Sequence, residues 1–84
     1  MPSANAKGAA NEAAAKVWKS TSALRYRYEQ LGSQQDGPLR FQATLEVLPT
    51  GNAFTGEPCP TKKAAEQSAA AAALPFLMER MAQL

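Results

Sequence analysis

Residues 61–74 read TKKAAEQSAAAAAL. Strong helix formers fill the stretch, and Thr61 stands where its hydroxyl can cap free backbone N–H groups. Lys62 and Lys63 follow in the first turn, where positive charge opposes the helix dipole and costs about 0.3 kcal/mol or more each. Folding alone does not choose that placement. A bound anion reverses the sign, because the dipole, the free N–H groups and two ammonium groups all favour a phosphate. Lysine pairs on helices are commonly just solvated, so the pair decides nothing by itself. The alanines that follow leave almost no bulk on any side, and a helix this slim can lie very close to a sheet.

Upstream the period is that of strands. Leu24, Tyr26 and Tyr28 alternate with Arg25, Arg27 and Glu29, which predicts a half-buried strand with its aromatic residues inward. Residues 31–38 (LGSQQDGP) form a polar turn with Asp36-Gly37 at its tip, a hairpin signal. Over 39–48, Leu39, Phe41, Ala43, Leu45 and Val47 share one face and Arg40, Gln42, Thr44 and Glu46 the other. Pro49-Thr50-Gly51-Asn52 makes a second turn, and a short third strand over 53–56 completes an antiparallel meander. Pro58 and Pro60 are expected to stop further pairing, since neither can donate to a ladder.

The ends complete the order. Residues 1–8 read as a disordered tail. Residues 9–22 predict a helix with Asn11 as N-cap and Glu12 in its first turn. Ala14, Trp18 and Val17 would form its buried stripe, with Lys16 and Lys19 outward. Pro75 should end or kink the helix of 61–74 and open a short C-terminal helix, residues 75–84. The expected architecture is α+β, in the order α-β-β-β-α. A three-stranded antiparallel sheet packs on two helices, with the domain at 9–74 and a helical extension at 75–84.

Composition narrows the function. The 84 residues hold no histidine and one cysteine, Cys59, which removes the commonest general base, any disulfide framework and any thiolate zinc site. The acidic residues are scattered rather than paired for acid–base chemistry. No run reaches the roughly 18 apolar residues of a membrane span, and no signal segment opens the chain. The expectation is a non-catalytic module in a reducing, intracellular setting, with no cofactor, metal or membrane partner. The net charge of +2 is modest for a nucleic-acid binder.

Within that order, Tyr28-Glu29, Gly37-Pro38, Phe54-Thr55-Gly56, Thr61 to Ala65, Ala69-Ala70 and Ala73-Leu74 resemble the double-stranded-RNA-binding domain. The likeness covers about residues 12–74 and is most specific over 54–74. Such domains span about 16 base pairs, touching two minor grooves and the phosphates between them with little sequence reading. The resemblance implies that Thr61, Lys62 and Lys63 meet the major-groove phosphates. It places the first turn, Asp36 to Arg40 with Gly37 and Pro38, in one minor groove. It places the first helix in the next groove, through Glu12, Lys16, Lys19 or Ser20. Three positions depart from the family pattern. Glu66 replaces a third lysine, and a carboxylate facing phosphate weakens the clamp. Arg40 replaces the first-turn histidine. Trp18 does the packing that leucines usually do in the first helix.

Two functions follow from different classes. The chain is either a module that binds RNA duplexes within a larger RNA-processing protein, or a degenerate copy that docks a protein partner or dimerises. Glu66, the low net charge and the apolar residues Phe76, Leu77, Met81 and Leu84 speak for the second. Lys62, Lys63, Arg40 and the Gly37-Pro38 turn speak for the first. The tyrosines suit the core better than base stacking, and Arg25 and Arg27 keep an open sheet face soluble.

Overall fold

The computed structural model describes residues 5–20, 22–32 and 39–84. Five elements follow one another: α1 (Ala6–Trp18), β1 (Leu24–Leu31), β2 (Arg40–Val47), β3 (Asn52–Thr55) and α2 (Lys62–Ala82). The strands form one antiparallel sheet in the order β1-β2-β3. This is the expected α-β-β-β-α arrangement. The turn tip Asp36-Gly37 and the Gly37-Pro38 pair lie outside the described residues.

β2 is the centre of the sheet and follows the alternation expected of it. Ala43, Leu45 and Val47 are fully buried, while Arg40 is exposed at the strand's start. The β2–β3 connection turns on Gly51, whose φ of 77° is the left-handed conformation that glycine adopts without strain. Its N–H donates to the Val47 carbonyl at 2.9 Å. Beyond β3, Cys59 pairs with Phe41 despite its flanking prolines. Phe41 N–H donates to Cys59 O at 2.7 Å and Cys59 N–H returns to Phe41 O at 2.8 Å. The prolines lack donors of their own but leave that of Cys59 free, so one further bridge forms.

α1 starts at Ala6, not Ala9. Asn5 rather than Asn11 is the cap, accepting from the Gly8 N–H at 3.0 Å, and Asn11 sits exposed within the helix. The helix ends at Trp18 rather than near residue 22. Lys19 turns left-handed (φ 57°) with its N–H on the Ala15 carbonyl. Ser20 Oγ then accepts from Ser22 N–H, a local bond that competes with another helical turn. The buried stripe is Ala6, Ala10, Ala13 and Ala14, with Val17 and Trp18 only half-buried. It faces the buried Ala65, Ala69, Ala70 and Ala73 of α2 in one core.

α2 is the main correction. It passes through Pro75 without a break and runs to Ala82. A mid-helix proline costs about 3 kcal/mol in lost hydrogen bonding and crowding. Leu77 is fully buried beyond it, Phe76 packs on Phe54 with ring centroids 5.3 Å apart, and Met81 lines the core. Fully burying one large apolar side chain contributes about 1.5–3 kcal/mol, so Leu77, with the partial burial of Phe76 and Met81, offsets the proline. The C-terminal stretch is therefore the second half of α2 rather than an extension.

Close approach of α2 to the sheet depends on Gly56. A Cβ there would stand 2.5 Å from Ala69 N and 2.6 Å from Ser68 C, both helix backbone. The slim alanine face of α2 and a glycine at the end of β3 solve the same packing problem from both sides.

Candidate nucleic-acid interface

Thr61 is extended (φ −131°, ψ 157°), and its Oγ1 accepts from the Ala64 N–H at 3.1 Å. The Thr61 carbonyl takes the first helical bond, from Ala65 N–H at 3.0 Å. By helix geometry the N–H groups of Lys62 and Lys63 have no intrahelical partner. Thr61, Lys62 and Lys63 are all exposed, and no acidic residue lies in the first turn. The dipole, the free N–H groups and two exposed lysines thus share one end of the helix.

Lys62 is held there by the sheet. Its Nζ lies 5.7 Å from the centroid of the Tyr28 ring and 5.8 Å from that of Phe41. Such contacts are worth about 0.5–1 kcal/mol at exposed sites. Tyr28 points to the helix side as expected, yet it remains 45% exposed and serves as a platform for Lys62 rather than as core. A lysine over two aromatic rings becomes legible only with the register of β1 on β2.

Glu66 does not face outward with the lysines. Its Oε1 accepts from Lys7 Nζ at 2.8 Å, and its side chain is 15% exposed against 37% for Lys7. Lys7 also donates its backbone N–H to Gln67 Oε1 at 3.0 Å, and its ammonium lies 5.1 Å from the Tyr26 ring centroid. The carboxylate therefore has a cation partner of its own, supplied from α1. The sequence hides its partner because Lys7 sits in a segment that reads as tail. Beneath the pair, Tyr26 has its hydroxyl enclosed without a hydrogen-bond partner. Burial, and secondarily the Glu66 carboxylate, push its pKa up to about 12.

The other candidates are dispersed. Glu12 and Lys16 are exposed on α1 and form an i,i+4 pair at 3.8 Å, and Lys16 also suits the negative end of the helix dipole. Lys19 is exposed at the α1 C-cap. Strand alternation puts Arg40 on the sheet face away from the helices, opposite to Lys62, at the base of the β1–β2 connection. Gly37 and Pro38 lie outside the described residues. On the same outer face Arg25 and Arg27 reach Glu46 at 3.9 and 3.3 Å. The apolar residues expected to meet a partner are largely spent on the fold. Leu77 is buried, Phe76 and Met81 are half-buried, and of the four only Leu84, 74% exposed, stands free.

Among the described residues no three His, Cys, Asp or Glu side chains cluster as a metal site requires, and no helix is long and apolar enough to cross a membrane.

The fold agrees with comparison to known proteins. The family model described as "Double-stranded RNA binding motif" matches residues 19–77, from the α1 C-cap to the buried Leu77. Among solved structures, the second double-stranded-RNA-binding domain of HYL1 superposes with a TM-score of 0.62 at 27% identity. The match covers 87% of this chain and 97% of that one. No curated protein matches the chain. With most of its length matched by the family and the family's fold complete, the chain belongs to the double-stranded-RNA-binding-motif family.

Proposed function

We propose that the chain binds RNA duplexes by shape and phosphate charge, with little sequence reading, as one module of a larger RNA-processing protein. The family is one of non-catalytic RNA-binding domains, and the proposal concerns how this member does it. Lys62 and Lys63 at the capped start of α2 take the phosphates across a major groove. The outward side of α1, with Glu12, Lys16 and Lys19, lies along one minor groove. The Gly37-Pro38 turn approaches another, with Arg40 reaching it from the opposite sheet face. The carrying observation is the α2 start itself: Thr61, Lys62 and Lys63 exposed together, with the nearby Glu66 paired to Lys7.

The competing reading, a degenerate copy that docks a protein, draws on Glu66, on the low net charge and on the apolar C-terminal residues. With Glu66 ion-paired, Leu77 buried and Phe76 and Met81 half-buried against the core, two of these supports weaken, while the net charge of +2 stands.

The test is a titration with an RNA duplex of about 20 base pairs, a DNA duplex of the same sequence and single-stranded RNA. The RNA duplex should bind best, and a second RNA duplex of unrelated sequence should bind equally well. Equal weak binding to all of them overturns the proposal.

A further inference from the structure

We infer that Lys7 is a positioning residue for the α2 site, holding Glu66 between the helices so that its charge does not oppose a bound phosphate. The inference rests on the duplex-RNA reading above. Glu66 follows Lys62 by four residues and Lys63 by three, the spacing that puts side chains on one helix face. Along the axis it stands only about 6 Å from Lys62. Left free, the carboxylate would act within a Debye length of phosphates at the helix start, where screening by salt is incomplete.

The structure provides the neutralising charge from α1. Lys7 Nζ meets Glu66 Oε1 at 2.8 Å, over the Tyr26 ring, and the Lys7 backbone N–H is tied to Gln67 Oε1. Lys7 thus reaches α2 at two successive residues. Its own turn is set by the Asn5 cap just before it. At a distance, the paired charges cancel, so Lys62 and Lys63 act on an anion without an opposing carboxylate. Lys7 need not touch RNA to matter.

A double-mutant cycle tests this, using the full chain, an RNA duplex, and circular dichroism to confirm folding at the assay temperature. Lys7→Met keeps the aliphatic stem over Tyr26 but frees the carboxylate. It should weaken duplex binding about threefold to fivefold at low salt. Glu66→Gln alone should not weaken binding, and Lys7→Met/Glu66→Gln should restore wild-type affinity. Raising salt from about 50 to about 200 mM should shrink the Lys7→Met loss, as screening demands and as loss of packing does not. If Lys7→Met costs as much in the Glu66→Gln background, Lys7 is itself an RNA contact and the inference falls. A loss independent of salt also overturns it, because the role is then structural. If the wild type shows no preference for duplex RNA, the underlying reading fails first, and this inference with it.

Discussion

Replacing Gly56 by alanine tests the claim that α2 lies against bare backbone. The added Cβ would stand 2.5 Å from Ala69 N, 2.6 Å from Ser68 C and 2.7 Å from Ser68 Oγ, where ordinary contact begins at 3.4 Å. Two of those atoms are helix backbone and cannot rotate away. α2 must recede by several tenths of an ångström, which strains the Glu57 N–H bond to Ser68 Oγ (2.8 Å). The same movement loosens Ala65 and Ala69, both fully buried. Overpacking of this kind costs about 1–3 kcal/mol. A weakened hydrogen bond adds about 1 kcal/mol. Reduced freedom of the unfolded chain returns about 0.4–1 kcal/mol. The expected net loss is about 1–3.5 kcal/mol, a fall in Tm of roughly 5–25 °C for a domain this small. Urea unfolding followed by Trp18 fluorescence and far-UV circular dichroism measures it. Gly56→Ala/Ser68→Ala should remain destabilised, because trimming Ser68 does not move the backbone. A loss below about 0.5 kcal/mol, the range of an ordinary surface change, would refute the close approach.

Two further outcomes follow. Leu77→Ala should cost about 2–5 kcal/mol, as for other fully buried leucines, and a near-neutral result in urea would show that the second half of α2 is no part of the core. Tyr26 tests the inter-helix polar cluster. Its folded pKa, near 12, lies above the ordinary 10.0, so the native state holds the proton more tightly than the unfolded chain. Ionisation therefore works against the fold: stability is unaffected below pH 10 and falls as pH rises through about 12. Absorbance titration should show Tyr26 ionising late, and Tyr26→Phe should remove that step without lowering stability at neutral pH. Ionisation of Tyr26 at the ordinary 10.0 would contradict the enclosed hydroxyl.

The sheet is legible in the sequence because its signals are local. The alternation over Arg40 to Val47, the glycine of the 49–52 turn and the Thr61 cap each depend on neighbours in sequence. What escapes depends on distant partners. Pro75 reads as a stop signal until Phe54 and the core that receives Phe76, Leu77 and Met81 are in place. Lys7 reads as tail until α1 is laid beside α2, and only then does Glu66 change from an obstacle into half of a neutral pair. Cys59 looks isolated between prolines because pairing with Phe41 is set by the return of the chain after β3. At the α2 start, Lys62 and Lys63 stand out as candidates by their unfavourable place in the dipole. The support of Lys62 by Tyr28 and Phe41 needs the fold.

Whether the start of α2 is the phosphate clamp is decided most directly by the salt dependence of duplex-RNA affinity. The comparison is wild type against Lys62→Ala/Lys63→Ala, with folding verified in both. The clamp predicts weaker binding by the double variant and a slope of log affinity against log salt that is shallower by about 2, roughly one for each phosphate that no longer meets an ammonium group. An unchanged slope and affinity would contradict it and place the duplex elsewhere on the domain.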